Sequence, residues 1–177
     1  QKDDVDTVTI CGMGGKLMKD IIEAGKDRLS NGMQLILSPQ SEVREFRAYL
    51  LENGIDILSE MMIKDEGKYY FIMDCVYHDM AEGAVYNNNT HLQGKNAAEY
   101  TEEELRYGRY LIDNHSEVLK EYLDKEYGSF ISIQKSLKEQ NVKKPSAAIE
   151  KRLQELEADI EYNRKAELSC CAQDAQK

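Results

Sequence analysis

Apolar residues divide the first part of the chain into two strand–helix pairs. Thr7–Cys11 and Met33–Leu37 are short, uncharged runs rich in β-branched and aliphatic residues, which predict strands. Each is followed by a segment with apolar residues at helical spacing, first Lys16–Leu29 and then Glu42–Glu52. Two such units in succession predict parallel strands, and the lack of charge in the first run predicts a strand buried on both faces.

The pattern changes after Gly54. Two longer strand-like runs, Ile55–Ile63 and Tyr69–Tyr77, are joined by a charged segment that contains Gly67. Runs of this kind on either side of a short polar connection predict an antiparallel hairpin. Parallel strands that end in an antiparallel hairpin indicate an α/β fold with a partial Rossmann-like sheet.

From residue 99 onward the pattern is helical. Thr101 and Glu104 have the spacing of a capping box. Two narrow apolar seams follow, within Leu119–Leu137 and Ile149–Ile160, and Pro145 between them does not fit inside a helix. These features predict an antiparallel helical hairpin or coiled coil. The predicted organisation is an α/β domain at 1–80, a linker or loop at 81–98 and a helical domain at 99–177.

The 177-residue chain is acidic overall, with a formal net charge of −10. Non-specific nucleic-acid binders normally carry a basic footprint, so the overall charge does not favour that class. A local group of basic residues nevertheless flanks Pro145, in the predicted break between the two long helices. Contact with a nucleic-acid backbone and an ordinary solvated helix tip both fit this group, which consists of Lys143, Lys144, Lys151 and Arg152.

The cysteines and histidines do not indicate a metal site. Cys11, Cys75, Cys170 and Cys171 show neither metal-ligand spacing nor a disulfide framework, and the three histidines are scattered. No run is long and apolar enough to span a membrane, and no signal-peptide pattern precedes the first strand. We therefore expect a reduced, cytoplasmic protein with no metal and no membrane partner.

The most informative segment is Val8–Gly15, where a strand gives way to three glycines, Gly12, Gly14 and Gly15. In an open α/β sheet, ligands bind in the crevice outside the carboxyl ends of the strands. Glycine at such a position accepts a positive φ and places no side chain between the main chain and a ligand. A ligand-facing strand–turn–helix and a tight turn without a ligand both fit this pattern.

Four motifs occur in order along the chain: Ile-Cys-Gly-Met-Gly-Gly at 10–15, Leu-Ile-Leu-Ser-Pro-Gln at 35–40, Glu-Gly-Lys-Tyr-Tyr at 66–70 and Glu-Glu-Glu-Leu-Arg-Tyr-Gly at 102–108. This ordered set resembles the TrmK family of bacterial tRNA methyltransferases. Members of that family methylate N1 of adenine 22 in tRNA with S-adenosylmethionine. The resemblance extends over most of the chain, from Val5 to Leu168.

The resemblance implies a class I methyltransferase domain, whose last strand is antiparallel and inserted in the sheet, followed by an α-helical coiled-coil hairpin. Residues 1–80 then correspond to the carboxyl-terminal half of that domain, because the family's first glycine-rich motif and its acidic ribose-binding residue have no match here. We therefore expect a tRNA (adenine-N1) methyltransferase that is incomplete in this chain and inactive alone. Two alternatives stay open: a non-enzymatic RNA-binding or protein-interaction module built on the helical hairpin, and a class I methyltransferase with another substrate.

The resemblance also implies roles for individual residues. The turn after the fourth strand of such a domain borders both the methyl donor and the target base, which makes Gly12, Met13 and Gly14 the catalytic residues. Cys11, Gly12 and Gly15 are the expected contacts to S-adenosylmethionine. The partner is tRNA, bound by a monomer or a helix-mediated dimer. Its expected contacts are Lys16, Pro39, Gln40, Lys68, Tyr70, Lys143, Lys144, Lys151 and Arg152. A place at the rim of the pocket also fits Lys68 and Tyr70, and a strand-end turn or a solvated surface also fits the others.

Overall fold

The structure, a computed structural model, describes residues 5–79 and 99–172. The predicted linker at 81–98 lies outside the described residues. The chain divides into two compact units between Tyr110 and Leu111. The elements of the first unit are β1 (Thr7–Met13), α1 (Gly15–Ala24), β2 (Gln34–Pro39), α2 (Val43–Glu52), β3 (Ile55–Asp65), β4 (Lys68–Tyr77) and α3 (Glu102–Tyr107).

The four strands form one sheet in the order β1-β2-β4-β3. β1 and β2 are parallel, whereas β4 runs antiparallel to both of its neighbours, β2 and β3. The predicted parallel pair and the predicted hairpin are therefore confirmed. The inserted antiparallel strand that the family resemblance implies is β4, and the α/β fold class is confirmed with it.

The core of the first unit lies on one face of this sheet, beneath α1 and α2. Leu35, Leu37 and Met73 have no exposed surface. Helices as short as α1 and α2 are marginal in isolation, so burial of their apolar faces supplies most of their stability. The helical residues buried in this core include Met18, Ile22, Phe46 and Leu50.

β1 is less buried than its uncharged sequence predicts. Ile10 is buried and Val8 half-buried, but Thr7, Thr9 and Cys11 are exposed. The prediction of a strand buried on both faces is wrong, because only one face of β1 is covered; within the described residues β1 is also the edge strand and pairs only with β2. Successive side chains alternate across a strand, so the exposed residues lie on the face opposite α1 and α2.

α1 is also shorter than its predicted extent. It ends at Ala24, where Gly25 follows and the chain enters a 3₁₀ turn at Lys26–Arg28. Glycine is one of the weakest helix formers, which explains the early end.

α3 begins with the predicted capping box, which is confirmed. The Thr101 hydroxyl accepts a hydrogen bond from the Glu104 N–H, and the Glu104 carboxylate accepts one from the Thr101 N–H. Arg47 of α2 joins this helix to the sheet, because its guanidinium donates to the carbonyls of Leu105 and Arg106 at 2.7 and 2.8 Å. By these contacts, the start of the predicted helical domain belongs to the sheet unit.

Arg47 also forms a buried ion pair. Its Nε lies 2.7 Å from Oε1 of Glu60, and the two side chains are 0% and 1% exposed. The other carboxylate oxygen of Glu60 accepts a hydrogen bond from the Tyr110 N–H at 3.3 Å. Gly108 has a φ of +94°, and a Cβ at this residue would lie 2.7 Å from the Glu60 carboxylate. The Arg47–Glu60 pair is therefore the polar centre that fixes the residues following α3.

The second unit is an antiparallel helical hairpin. The short helix α4 (Arg109–Asp113) crosses the division between units, and α5 (Glu117–Lys143) then packs against α6 (Ala147–Cys171). The Asn163 side chain of α6 donates to the Leu123 carbonyl of α5 at 3.1 Å. The prediction of two long helices on either side of a break is confirmed.

Candidate active site

Two loops meet at the carboxyl ends of β1 and β2: the glycine loop, residues 12–15, and the β2 loop, residues 39–42. The Gln40 N–H donates to the Met13 carbonyl at 3.0 Å, and a second main-chain hydrogen bond of 2.9 Å runs from Gly15 to the β2 loop. The two segments predicted to carry the site are thus adjacent and joined through their backbones.

Gly12 is the bulged residue of β1. The register between β1 and β2 shifts between Cys11 and Met13, and the intervening Gly12 has a φ of +81°. A positive φ at a bulge favours glycine. A Cβ placed on Gly12 meets no atom within 4 Å, so its main chain faces open space. The bulge at Gly12 thus favours glycine for its backbone conformation, and it also leaves the backbone accessible.

Gly14 and Gly15 satisfy a different requirement, close packing against the β2 loop. A Cβ on Gly14 would lie 2.6 Å from Ser41 Oγ. A Cβ on Gly15 would lie 2.9 Å from both the Glu42 carbonyl oxygen and Phe46 Cβ. Gly15, an expected contact to S-adenosylmethionine, is buried, and its N–H already donates to the β2 loop. Its position in the structure is therefore a packing position.

The other predicted residues around the two loops differ in exposure. Cys11, Lys16 and Gln40 are exposed, Met13 is half-buried, and Pro39 is buried at the end of β2. The first three side chains are therefore accessible to a ligand at this end of the sheet, whereas the Pro39 side chain is not.

Glu42 is a residue of this site that the sequence analysis missed. Its backbone is left-handed, with φ 53° and ψ 36°, and its Oε2 accepts a hydrogen bond from the Lys16 N–H at 3.1 Å. That N–H lies in the first turn of α1, whose N-cap residue Gly14 has no side chain to accept it. The sequence signal is weak: a glutamate stands before a helix at a position where Ser, Thr, Asp or Asn is usual.

An open groove of about 420 Å³ lies between α1 and α2, beside the two loops. Lys16, Glu42 and Tyr49 are among the residues that line it, and Lys19 Nζ lies 5.0 Å from the centre of the Tyr49 ring. Burial, with a contribution from Glu23, raises the pKa of the Tyr49 hydroxyl. Tyr49 is therefore neutral at physiological pH, and the charges of the groove come from its lysines, arginine and glutamates.

Lys68 and Tyr70 lie at the same end of the sheet as the two loops, where β1 and β2 terminate. β4 first pairs with β2 at Met73, which is opposite Leu37. Tyr70 precedes Met73 by three residues, which corresponds to about 10 Å along a strand. Lys68 is exposed and Tyr70 half-buried. Both residues thus extend past the carboxyl end of β2.

The four predicted basic residues lie at the tip of the second unit, where α5 ends and α6 begins. All four are exposed, and Glu155 lies 3.2 Å from Arg152 and 3.8 Å from Lys151. Residues 138–155 include five basic and three acidic side chains, so the tip is basic within an acidic chain. Lys143, Lys144, Lys151 and Arg152 form the tip cluster.

Across residues 5–79 and 99–172, no three His, Cys, Asp or Glu side chains are placed to hold a metal ion. None of the helices in the described part of the chain is long and apolar enough to cross a membrane.

Comparison with known proteins gives consistent matches. A family model named TrmK and described as tRNA (adenine(22)-N(1))-methyltransferase matches residues 1–158. The curated tRNA (adenine(22)-N(1))-methyltransferase of Bacillus subtilis (strain 168) is 36% identical over 73 residues, which is 41% of this chain and 31% of that protein.

Solved structures match over most of the chain. A protein in the NADB-Rossmann superfamily from Streptococcus agalactiae has a TM-score of 0.69 and 25% identity, and the match covers 92% of this chain and 60% of that one. A putative tRNA (m1A22) methyltransferase from Streptococcus pneumoniae, in complex with S-adenosyl-L-methionine, has a TM-score of 0.69 and 23% identity, and the match covers 94% and 63%. The Rossmann-like fold is thereby confirmed. The chain spans less than two thirds of the length of each of these three relatives.

Proposed function

This chain belongs to the TrmK family of tRNA (adenine(22)-N(1))-methyltransferases, and we propose that it forms part of an enzyme that methylates N1 of an adenine in tRNA with S-adenosylmethionine. The observation that carries this proposal is the open main chain at Gly12, at the carboxyl end of β1 and beside the β2 loop. Ligands bind at this end of the strands in open α/β sheets. The family description names adenine 22, which we therefore propose as the target nucleotide.

The reaction needs alignment more than acid–base catalysis. S-adenosylmethionine supplies an electrophilic methyl carbon bonded to a sulfonium. Neutral adenine N1 attacks with its own lone pair, and the electrons of the carbon–sulfur bond leave with the sulfur. The methylated base takes over the positive charge that the sulfonium loses, so the charges balance without a proton transfer. The protein therefore contributes mainly an in-line geometry and exclusion of bulk water from the reacting atoms.

The glycine loop provides this geometry in our proposal. Main-chain groups of Gly12 and Gly14 orient the edge of the base, and Met13 packs against it. Cys11 and Gly12 border the methyl donor. Gly15 supports the loop by packing under the β2 loop, a role that replaces the cofactor contact expected from the family resemblance.

The tRNA contacts near the loops follow from exposure and position. The exposed amide of Gln40 hydrogen-bonds the adenine, and the buried Pro39 holds the end of β2 next to it. Lys16 contacts a phosphate. Lys68 and Tyr70, which extend past the end of β2, contact RNA beside the target nucleotide. The protein works in the cytoplasm, where tRNA is modified, as a monomer or a helix-mediated dimer.

The cofactor site is completed by residues outside this chain in our proposal. Thr7, Thr9 and Cys11 are exposed on a sheet face that α1 and α2 do not cover, and β1 has a free edge among the described residues. The chain also spans only 60% and 63% of the matched structures. An exposed sheet face and edge of this kind are suited to receive further strands and helices.

The tip cluster is proposed to contact the tRNA backbone. Replacing Lys143 and Lys144 by glutamate in the full-length protein is expected to weaken tRNA binding and to reduce the slope of log K against log salt by about 2, roughly one for each lost phosphate contact. Filter binding at several salt concentrations measures this slope. The matched control is the same charge reversal at two exposed residues of the first unit, Lys26 and Arg28. Equal slopes for the tip variant and the wild type would exclude the tip as a phosphate contact.

The proposed function is tested by comparing the encoded full-length protein with this chain. Each is incubated with S-adenosylmethionine and tRNA from cells that lack the gene, and the nucleosides are analysed by mass spectrometry. We expect N1-methyladenosine with the full-length protein and none with the chain alone. Binding of S-adenosylmethionine to the isolated chain at low-micromolar concentration, measured by calorimetry, would contradict the incomplete cofactor site. Tight, salt-sensitive tRNA binding by the full-length protein without methyl transfer would instead favour an RNA-binding module.

A further inference from the structure

Three hydrogen bonds join the glycine loop and the start of α1 to the β2 loop. Two are main-chain bonds, from Gln40 to Met13 and from Gly15 to Ser41. The third is the bond from the Lys16 N–H to Glu42 Oε2 at 3.1 Å. Of these three hydrogen bonds, only the third uses a side chain as its acceptor. A substitution at Glu42 can therefore remove this bond and leave the main-chain donors and acceptors of the other two in place.

The glycines make this side chain necessary. The first N–H groups of a helix need acceptors from outside the helix, and the N-cap side chain usually supplies one. Gly14 at the N-cap of α1 has no side chain and makes no capping hydrogen bond. A Cβ on Gly14 would lie 2.6 Å from Ser41 Oγ and 3.3 Å from Glu42 Oε2, so a side chain there would displace Ser41 and crowd the Glu42 carboxylate. The β2 loop therefore supplies the acceptor that Gly14 cannot.

Glu42 holds this position in an unfavourable backbone conformation. Its φ of 53° is in the left-handed region, which residues with a Cβ other than Asn and Asp rarely adopt. Strained residues of this kind persist where surrounding contacts determine them, and they cluster at functional sites. The Glu42 carboxylate is also at the positive end of the α1 dipole, where a negative charge is favourable.

We propose that Glu42 is a positioning residue for methyl transfer. Its carboxylate caps α1 in place of Gly14 and thereby sets the distance and orientation of the glycine loop relative to the β2 loop. It acts through the Lys16 N–H and does not itself contact the base. This inference rests on the proposed function, since it assigns the glycine loop to the acceptor site.

Steady-state methylation by the encoded full-length protein tests the proposal. Glu42→Ala is expected to lower kcat about 10- to 100-fold with little change in the KM for tRNA, because small errors in position slow an in-line reaction strongly. Glu42→Gln keeps an oxygen acceptor at the same reach and is expected to stay within about 3-fold of the wild type. Glu42→Gly, which suits the positive φ, separates loss of the cap from loss of folding and is expected to be as slow as Glu42→Ala.

The matched control is Glu45→Ala, which removes an exposed carboxylate from the first turn of α2 and is expected to leave kcat unchanged. Hydrogen exchange of the amides in residues 15–18 gives a second readout on the chain itself. Glu42→Ala and Glu42→Gly should accelerate exchange there, and Glu42→Gln should not.

Two results would overturn the proposal, and they are distinguishable. If the wild type methylates tRNA and Glu42→Ala has the same kcat, the positioning role is wrong and the proposed function stands. If the wild type transfers no methyl group to tRNA, the proposed function fails and the role of Glu42 in the reaction fails with it. In that case the exchange data still report whether the carboxylate caps α1.

Discussion

Replacing Arg47 by alanine is expected to lower the free energy of unfolding of the first unit by about 3–5 kcal/mol, the range for breaking a buried ion pair by removing one partner. Arg47 is fully buried, its Nε lies 2.7 Å from Glu60, and it donates to two carbonyls of α3. The alanine variant leaves the Glu60 carboxylate buried without its cation and removes two hydrogen bonds at once. The substitution should therefore weaken both the packing of α2 on β3 and the attachment of α3.

Urea denaturation followed by circular dichroism measures this change, and hydrogen exchange of β3 and β4 peptides assigns the transition to the first unit. The matched control is Arg44→Ala, which removes an arginine from the same helix. Arg44 pairs with Glu102 at 2.8 Å, but its side chain is 39% exposed, so the expected loss is about 0–1 kcal/mol. Equal losses for the two variants would contradict a structural role for the buried pair.

A double variant separates the effect of losing the ion pair from the effect of leaving one charge buried without a partner. Replacing Arg47 by methionine and Glu60 by leucine together removes both charges and keeps much of the apolar volume. Such replacements of buried ion pairs are often neutral or stabilising. We expect the double variant to be more stable than Arg47→Ala, with a remaining deficit from the two lost bonds to α3.

The second large effect is expected at Gly12. In the full-length protein, Gly12→Ala should lower the rate of tRNA methylation about 100-fold. The added methyl group would occupy the space through which the base approaches, and displacing a reacting group by about 1 Å can cost a factor of this order. Its effect on stability should be only about 1–2 kcal/mol, the cost of a left-handed residue with a Cβ. Gly15→Ala should lower stability by about 1–3 kcal/mol through overpacking, since its Cβ would lie 2.9 Å from the Glu42 carbonyl oxygen and 3.0 Å from that of Ser41.

Gly32→Ala is the matched control for Gly12. Gly32 has a φ of +85° and, like Gly12, would place a Cβ in open space, but it lies in the turn before β2, at the opposite end of the sheet. The two alanine variants should therefore have similar melting temperatures, and only Gly12→Ala should lose methylation. Equal methylation rates for both variants would show that Gly12 is needed for its backbone conformation alone.

The sequence predicts the order and type of the elements well, because each is encoded locally. The strands, the two long helices and the Thr101–Glu104 capping box follow from periodicity and capping residues. The burial of β1 could not be predicted, since an uncharged run does not reveal whether a second layer packs on its other face. The assignment of the residues around α3 to the sheet unit depends on Arg47, a contact across more than fifty positions of sequence.

The candidate site is only partly visible in the sequence. The glycine pattern identifies the loop, but it does not distinguish Gly12, which has a positive φ, from Gly15, whose Cβ would lie within 3.0 Å of two carbonyl oxygens of the β2 loop. Arg47 had a usable signal, because it occupies a position of the apolar stripe of α2 between Phe46 and Leu50, where a charge requires a buried partner. Glu60 could not be identified as that partner, because strand pairing brings it there.

Position-specific methyl transfer tests the central claim most directly. Unmodified tRNA transcripts with adenine or guanine at position 22 are incubated with the full-length protein and S-adenosylmethionine, and reverse transcription then locates the methyl group, which blocks the Watson–Crick edge of the base. We predict a stop at position 22 in the adenine transcript and no stop in the guanine transcript. Full read-through of the adenine transcript, under conditions in which a known N1-adenine methyltransferase produces its stop, would contradict the account.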